Sequence, residues 1–237
     1  MTDKPGEHPD PHADLATRSP LLYDLEEGTV IYRLHKAGRD PIFFGRTGDN
    51  RFDAPDGSYG VLYAGEDEYC CFIEACGQVT GVPSVSGAYL DQRNLGEIKV
   101  THAMILIDLS ASAGLARIGA DGRLIDGSHS AAQRWSAALR KHPTNPAGIL
   151  YRARHDPAKL AFAIFECSVG VFQVHNKRLI ARCEKPEAVR RDSGSLSIRF
   201  DRSLATINAL EYIRTSDPVF RQSPLVMRTP GRHLKLD

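Results

Sequence analysis

One segment of the chain concentrates side chains that could grip an anionic dinucleotide. Residues 46–78 place arginines, tyrosines and an isolated glutamate, Glu74, around a glycine-rich turn and a predicted helix start. A guanidinium is always charged and binds phosphate oxygens in pairs, which suits a pyrophosphate. A carboxylate held close to a sugar stabilises positive charge that develops there. Arg51 and Glu74 are therefore candidates for binding and for chemistry.

The residue types around these candidates predict the elements that position them. Asn, Asp, Pro and Gly crowd residues 46–60, which indicates a surface loop. The apolar run 61–64, closed by a glycine, predicts a short strand that carries Tyr63. The acidic residues that follow suit a helix N-terminus, so we expect a helix over 67–79 with Glu74 near its middle.

Each candidate also has an ordinary structural explanation, and the residues alone leave both open. Glu74 can be a partly exposed helix residue that pairs with a base, because buried acids are rare unless they have a partner. The arginines can form surface ion pairs, and Tyr63 can fill the core as a strand residue. The functional interpretation rests on the combination of these residues.

Several short motifs follow one another in a consistent order and spacing. They are Tyr32-Arg33, Asn50-Arg51-Phe52, Gly60-Val61-Leu62-Tyr63-Ala64, Glu74 and Gly148-Ile149-Leu150-Tyr151-Arg152-Ala153-Arg154-His155-Asp156-Pro157. Together they resemble the RES domain family, toxins that are related in fold to ADP-ribosylating toxins and that act on NAD. The resemblance extends over roughly residues 28–170 of the chain.

The resemblance implies a reaction and a role for each matching residue. NAD+ would be a substrate whose nicotinamide–ribose bond is cleaved, by an NAD+ phosphorylase that uses inorganic phosphate or by a glycohydrolase that uses water. Glu74 would stabilise the cationic sugar, and Arg33 and Arg51 would hold the pyrophosphate. Tyr63 would stack on the nicotinamide or hydrogen-bond to the ribose. The catalytic residues that the family implies are thus Glu74, Arg51 and Tyr63.

One departure from the family pattern concerns a serine. The family's Tyr-x-Ser segment reads Tyr151-Arg152-Ala153 here, so another group or water must make the hydrogen bonds of the missing hydroxyl. Ala153 and Arg154 fall in the matching part of the substrate site. Arg152, Arg154 and His155 could supply the positive charge that phosphate needs as a nucleophile. Two alternatives stay open: a catalytically impaired module that binds NAD or a partner, and an ADP-ribosyltransferase that acts on a protein.

Composition narrows the remaining classes of protein. The net charge of +1, from 30 basic and 29 acidic residues, lacks the electrostatic footprint of a nucleic-acid binder. The five cysteines show no Cys-x-x-Cys spacing, so we expect free thiols and no metal. No stretch approaches about 18 apolar residues, and no apolar signal region begins the chain, which predicts a cytoplasmic protein without a membrane span. The resemblance implies a small helical antitoxin of the Xre type as partner. It implies no cofactor, since NAD+ would be a substrate and inorganic phosphate a co-substrate.

The predicted organisation is one domain between two extensions. Residues 1–27 hold several prolines and few large apolar groups, which predicts a disordered tail, followed by a RES domain over 28–214 and a C-terminal extension over 215–237. Strands are expected over 100–109, 148–151, 160–165 and within 169–182, and helices over 128–142 and 204–214. Strands and helices mix without a regular βαβ alternation or a G-x-G-x-x-G fingerprint. We therefore expect an α+β fold, a small mixed sheet with packed helices, and the resemblance implies that it is ADP-ribosyltransferase-like.

Overall fold

One mixed β-sheet organises the chain, and the computed structural model describes residues 9–76, 87–166 and 170–179. Its strands are β1 (Leu22–Leu25), β2 (Val30–Lys36), β3 (Val61–Gly65), β4 (Arg93–Val100), β5 (Met104–Asp108), β6 (Gly148–Arg152), β7 (Leu160–Phe165) and β8 (Phe172–Leu179). They lie in the order β1-β5-β6-β7-β3-β2-β4-β8. β5 and β6 are parallel, and the other neighbouring strands of the described sheet are antiparallel. The hairpin predicted between 148–151 and 160–165 is confirmed by β6 and β7.

Short helices and one longer helix complete the fold. They are α1 (Glu68–Cys76), α2 (Gly87–Asp91), α3 (Gly114–Ile118), α4 (Arg123–Asp126), α5 (His129–Arg140) and a 3-10 turn (Leu15–Thr17). α5 confirms the helix predicted over 128–142, and Ser128 caps it by accepting a hydrogen bond from the amide of Ala131 at 3.4 Å. A mixed sheet with helices packed on it confirms the α+β class.

Two hydrophobic cores lie on opposite faces of the sheet. On the helix face, α3, α4 and α5 bury Ile118, Leu124 and Trp135 completely against the strands. On the inner face, the sheet curls around a second core. Side chains from strands across the whole sheet form this core, and they include Leu25, Ile31, Leu62, Ile98, Leu106, Leu150 and Ile164. Because side chains alternate along a strand, neighbouring residues point to different cores. This alternation decides which candidate residues can meet.

The apolar run 100–109 is not a single strand, which corrects the prediction. β4 ends at Val100, residues 101–103 form a bend, and β5 begins at Met104. The two strands lie apart in the sheet, because β4 pairs with β2 and β8 whereas β5 pairs with β1 and β6. β4 itself was not predicted, since Asn94 and Gly96 interrupt its apolar alternation.

Residues 9–27 pack against the domain, which corrects the predicted disordered tail for this stretch. The indole N–H of Trp135 donates to the carbonyl of Pro9 at 2.8 Å. Leu15 is buried in the core of the helix face, and β1 pairs with β5 at the edge of the sheet. Leu15 and Leu25 are the apolar residues of this segment that the two cores bury, and together with the pairing of β1 they hold it on the domain.

Several predictions fall outside the described residues. They concern the end of the first helix at 77–79, the helix at 204–214 and the extension at 215–237. β8 confirms the strand expected within 169–182. In the described ranges, no helix is long and apolar enough to cross a bilayer.

A close contact between α1 and β3 determines where that helix begins. A Cβ placed on Gly65, the last residue of β3, would lie 2.7 Å from the backbone nitrogen of Cys71 and 2.8 Å from the Cβ of Cys70. A residue without a side chain is needed for α1 to approach the sheet this closely. Asp67 then caps α1 by accepting a hydrogen bond from the amide of Cys70 at 2.7 Å.

Replacing Gly65 with alanine should destabilise the fold by about 1–3 kcal/mol, the usual cost of overpacking. For a chain of this size each kcal/mol lowers the melting temperature by about 2–4 °C, which calorimetry would measure. Gly38→Ala is the matched control, because a Cβ there meets no atom within 4 Å. Equal melting temperatures for the two variants would contradict the close packing of α1 on β3.

Candidate active site

A buried carboxylate organises the loop that precedes β3. Asp53 is fully buried, and its Oδ2 accepts hydrogen bonds from the backbone N–H and the side-chain amide of Asn50 at 3.1 and 3.0 Å. Its Oδ1 accepts the hydroxyl of Tyr63 at 3.0 Å, and Thr47 donates to Oδ2 at 3.4 Å. A buried polar group is tolerated when such donors replace its hydration. The loop predicted over 46–60 is therefore folded around Asp53.

The same loop is fastened to α5. The side-chain amide of Gln133 donates to the carbonyls of Gly48 and Asn50 at 2.7 and 2.9 Å. The hydroxyl of Ser136, which is fully buried, donates to the carbonyl of Phe52 at 2.7 Å. These contacts fix the backbone on both sides of Arg51.

Arg51 uses one part of its guanidinium to reach the end of α4. Its Nη1 donates to the carbonyls of Gly127 and Leu124 at 2.9 and 3.4 Å. Within the described ranges, its Nε and Nη2 donate to no protein group, so one edge of the guanidinium is available to an anion. Burial, followed by the nearby charge of Arg154, lowers the pKa of Arg51. An anion between the two arginines would relieve their repulsion.

A backbone contact holds Glu74 on α1 near this pair. The amide N–H of Arg154, in the turn between β6 and β7, donates to Oε1 of Glu74 at 2.8 Å. Lys159 of the same turn forms an ion pair with Asp67 at the start of α1. Oε2 of Glu74 accepts no hydrogen bond from any residue that the structure describes. One carboxylate oxygen is thus fixed by the protein, and the other remains for a ligand.

Tyr151 on β6 faces the same place. Its side chain is 6% exposed, and its ring packs edge-to-face on Phe52 with 5.1 Å between the ring centroids. Burial, followed by the negative charge of Glu74, raises the pKa of Tyr151 well above its usual value, while Arg51 acts in the opposite direction. The hydroxyl therefore stays protonated at neutral pH.

Tyr63 lies on the same face of the sheet, but its hydroxyl is already in use. It donates to Asp53 at 3.0 Å and accepts the backbone N–H of Phe52 at 2.9 Å. Burial, followed by the charge of Asp53, raises the pKa of Tyr63. A hydrogen bond from Tyr63 to a ribose would require breaking its bond to Asp53. The ring, which is partly exposed, is the part that a ligand can contact.

Arg33 is not brought to these residues. Successive side chains of β2 point to opposite faces of the sheet. Tyr32 pairs with Gly65, which lies under α1, so Tyr32 is on the helix face. Arg33, the next residue, therefore points to the inner face. There its Nη1 donates to the carbonyls of Pro41 and Phe43 at 3.1 and 2.6 Å. Burial lowers the pKa of Arg33 to about 10. In this structure Arg33 organises the loop after β2, whereas the neighbouring Tyr32 lies on the face of the candidate site.

The segment that replaces the family's Tyr-x-Ser contributes unequally to the site. Ala153 is 1% exposed and lies in the same core as Tyr151. Arg152 points away and donates to two loop carbonyls at 2.9 and 2.7 Å. The side chain of Arg154 is exposed and lies close enough to Arg51 to lower its pKa. Arg154 thus contributes its amide to Glu74 and its charge to the surroundings of Arg51.

The cysteines of α1 serve as packing groups. Cys70 and Cys71 are buried free thiols, and the Sγ of Cys70 donates to the carbonyl of Leu160 at 3.2 Å. Burial, followed by the charge of Glu74, raises the pKa of Cys70 to about 12, so its thiol is a poor nucleophile. Among the described residues, no group of three or more His, Cys, Asp or Glu side chains could hold a metal ion.

Two site residues, Asp53 and Tyr151, were missed in the sequence. Asp53 stands among other loop acids, and nothing in a segment rich in Asp, Pro and Gly reveals which acid is buried. The sequence did contain a clue to Tyr151. This residue lies in a predicted strand two positions before Ala153, and residues two apart in a strand point to the same face of the sheet.

Comparisons with known proteins match both the sequence and the fold. The sequence profile of the RES domain matches residues 30–183. The chain belongs to the RES domain family. Its structure is similar to a chain in the crystal structure of the M. tuberculosis MbcT–MbcA toxin–antitoxin complex, with a TM-score of 0.53 and 18% sequence identity. This similarity covers 65% of this chain and 85% of that chain, and at such identity it concerns the fold alone. A search of curated proteins gives no match.

The whole candidate site lies within the matched part of the RES domain. Arg51, Tyr63, Glu74, Tyr151 and Ala153 all fall inside residues 30–183. The segment from residue 9 to β1 precedes the match, and it packs on α5, the helix that fastens the loop of Arg51. It therefore adds packing to this RES domain from residues outside the matched range.

Removing the carboxylate of Asp53 should destabilise the RES domain. Asp53→Ala leaves donors of Asn50 and Tyr63 without their acceptor, and an unsatisfied buried group costs about 1–3 kcal/mol. Urea denaturation followed by circular dichroism would measure the loss. Asp56→Ala is the control, because in the part of the chain that the structure describes this exposed acid of the same loop accepts only from the nearby Ser58. Equal midpoints for the two variants would contradict the organising role of Asp53.

Proposed function

We propose that this RES domain protein is a toxin-like enzyme that consumes NAD+ by cleaving the nicotinamide–ribose bond. The observation that carries the proposal is the carboxylate of Glu74, which the amide of Arg154 fixes through Oε1 close to the incompletely paired guanidinium of Arg51. A carboxylate suits a cationic sugar, and a guanidinium suits the pyrophosphate attached to it. Membership of the RES domain family supports the same substrate.

The proposed reaction uses the free oxygen of Glu74. The C–N bond between ribose C1′ and nicotinamide breaks, and its electron pair leaves with nicotinamide, whose ring nitrogen becomes neutral. The sugar acquires cationic character, as in glycoside hydrolysis. Oε2 of Glu74 would stabilise the positive charge of the sugar. The carboxylate is available for this because, among the described residues, it forms no ion pair. An oxygen of water or inorganic phosphate then bonds to C1′ and loses its proton, which gives ADP-ribose or its phosphorylated form.

Binding of the pyrophosphate would fall to the two neighbouring arginines. Arg51 presents its free guanidinium edge from a loop fixed by hydrogen bonds, and Arg154 presents an exposed charge from the turn between β6 and β7. Burial, followed by repulsion from Arg154, lowers the pKa of Arg51, and a dianionic pyrophosphate would offset that repulsion. The partly exposed ring of Tyr63 would contact the nicotinamide or the ribose by stacking.

The choice of nucleophile defines two forms of the enzyme, a phosphorylase and a glycohydrolase. Phosphate would need positive charge near C1′ in addition to that used for the pyrophosphate. The amide that fixes Glu74 belongs to Arg154. The exposed side chain of Arg154 and the next residue, His155, are the basic groups closest in the sequence to that amide. The dependence of product formation on phosphate concentration would separate the two forms.

The buried methyl group of Ala153 favours a second candidate function. Without the family's serine, the site would bind NAD or a partner but turn over slowly or not at all. Transfer of ADP-ribose to a protein uses the same donor chemistry with a different acceptor, and analysis of the products would identify it. Free nicotinamide with no labelled protein would exclude both alternatives.

We also propose a protein partner, a small helical antitoxin of the Xre type. The support is that the structurally similar chain belongs to a complex described as a toxin–antitoxin complex. A partner that covers the opening beside Glu74 and Arg51 would block access of NAD+. The same proposal includes a cytoplasmic location, where NAD+ is available as substrate, and no resident cofactor or metal.

Glu74→Ala should lower nicotinamide release from NAD+ by at least about 100-fold, a typical cost of removing one charge-stabilising group. The fold should be retained, because a glutamate-to-alanine change favours the helix slightly. Chromatography of the purified protein incubated with NAD+, with and without phosphate, would measure nicotinamide and the ADP-ribose product. Glu68→Ala, in the first turn of the same helix, is the control. Wild-type rates in Glu74→Ala would refute the assignment of the acid.

Arg51→Ala should weaken NAD+ binding roughly 10- to 100-fold, the usual worth of hydrogen bonds to a charged group. Arg33→Ala should leave the dissociation constant within about twofold, because its guanidinium binds loop carbonyls on the inner face. Isothermal titration calorimetry would measure both constants. If the two variants lose affinity equally, the placement of the pyrophosphate at Arg51 is wrong.

A further inference from the structure

One tyrosine hydroxyl in the core of the helix face is not used by the fold. Tyr59 and Tyr63 each have a partner for theirs, Ser136 and Asp53, both at 3.0 Å. The hydroxyl of Tyr151 forms no hydrogen bond with any described residue, although its side chain is only 6% exposed. Its oxygen is not one of the fully enclosed unpaired polar atoms of the described residues, which are Nε2 of His35 and Oδ1 of Asn94, so it is open to solvent or to a ligand. An unused hydroxyl in this position therefore suggests a ligand as its partner.

The surroundings of Tyr151 place that hydroxyl in the candidate site. The charges of Glu74 and Arg51 both act on its pKa. Its ring is held by Phe52, the residue that follows Arg51, and it lies on the same strand face as Ala153. The ring of Tyr151 is thus held by Phe52, and its hydroxyl lies close enough to Glu74 and Arg51 for both charges to act on it.

The same strand face is where this chain departs from its family. A serine at position 153 would place its hydroxyl next to Arg154, whose amide fixes Glu74 at 2.8 Å. Ala153 removes that hydroxyl and puts a buried methyl group there. Tyr151, two residues earlier, offers a neutral O–H from the same face of the strand.

We propose that the hydroxyl of Tyr151 makes the hydrogen bond to substrate that the family's serine would make from position 153. The inference rests on the proposed function, since the substrate is the ribose of NAD+ beside Glu74. The hydroxyl donates to a ribose oxygen and keeps the sugar oriented while the bond to nicotinamide breaks. It takes no part in proton transfer.

A double-mutant cycle tests the proposal, with Tyr151→Phe, Ala153→Ser and the combined variant. Tyr151→Phe keeps the ring that packs on Phe52 and removes only the oxygen. We expect it to lower kcat/KM for NAD+ about tenfold, the worth of one good hydrogen bond. In the Ala153→Ser background the same change should cost less than about threefold, because the serine then makes the bond. Tyr59→Phe is the matched control and should leave kcat/KM within about twofold.

Each outcome of the cycle decides the proposal. A coupling between the two positions supports it, whereas equal losses in both backgrounds, or no loss in Tyr151→Phe, overturn it. Thermal melting distinguishes a role in substrate binding from a role in stability. Tyr151→Phe removes an unpaired hydroxyl and should melt at the wild-type temperature, whereas Tyr59→Phe loses the hydrogen bond to Ser136 and should melt at a lower temperature. A lowered melting temperature for Tyr151→Phe would count against an unused hydroxyl.

Calorimetric NAD+ binding by the same variants separates this proposal from the proposed function. If the wild-type protein releases no nicotinamide but the dissociation constants show the same coupling, Tyr151 contacts the ligand and the enzyme assignment fails. If turnover occurs and neither kcat/KM nor the dissociation constant depends on Tyr151, the enzyme assignment stands and this inference fails. If the protein does not bind NAD+, both fail.

Discussion

The candidate site depends on the requirement that a carboxylate taken out of water be given hydrogen-bond donors. Asp53 meets that requirement with Asn50 from its own loop and with Tyr63 from β3. The loss of hydration would otherwise cost several kcal/mol, so the loop cannot leave this conformation without breaking several bonds at once. Arg51 lies between Asn50 and Asp53 in the chain, and its position is therefore set by a folding constraint.

This constraint extends from the loop to the rest of the domain. Gln133 and Ser136 tie the loop to α5, and Trp135 of the same helix binds the N-terminal segment. On the other side, the glycine at the end of β3 brings α1 close enough for Glu74 to reach the turn after β6. The two charges that define the site thus come from opposite directions, and each is positioned by backbone contacts. Such a site is preorganised, because its geometry does not wait for a ligand.

Local patterns predicted those parts of the fold whose cause is local. α5 has a cap, a regular apolar spacing and a clear end, and β6 and β7 are compact apolar runs. The sequence patterns could not predict features that depend on contacts between distant parts of the chain. The anchor of Glu74 is a backbone amide 80 residues away, the face of Arg33 depends on the strand pairs of β2, and β4 is buried between two strands despite a polar sequence. The family resemblance supplied the candidates, and only the fold shows which of them meet.

The loss of the family's serine has a limited consequence when the contacts of the acid are considered. Glu74 is fixed by the amide of Arg154, and an amide is present whatever side chain occupies position 153. Under the proposed function, Ala153 therefore leaves the acid in place and removes only the hydrogen bond that a serine at this position would make to the ligand. A bond of that kind is worth about 1 kcal/mol, whereas displacing the carboxylate would cost several. Glu74 keeps its anchor and a free oxygen, and the guanidinium of Arg51 keeps a free edge. These are the groups that the proposed cleavage would need.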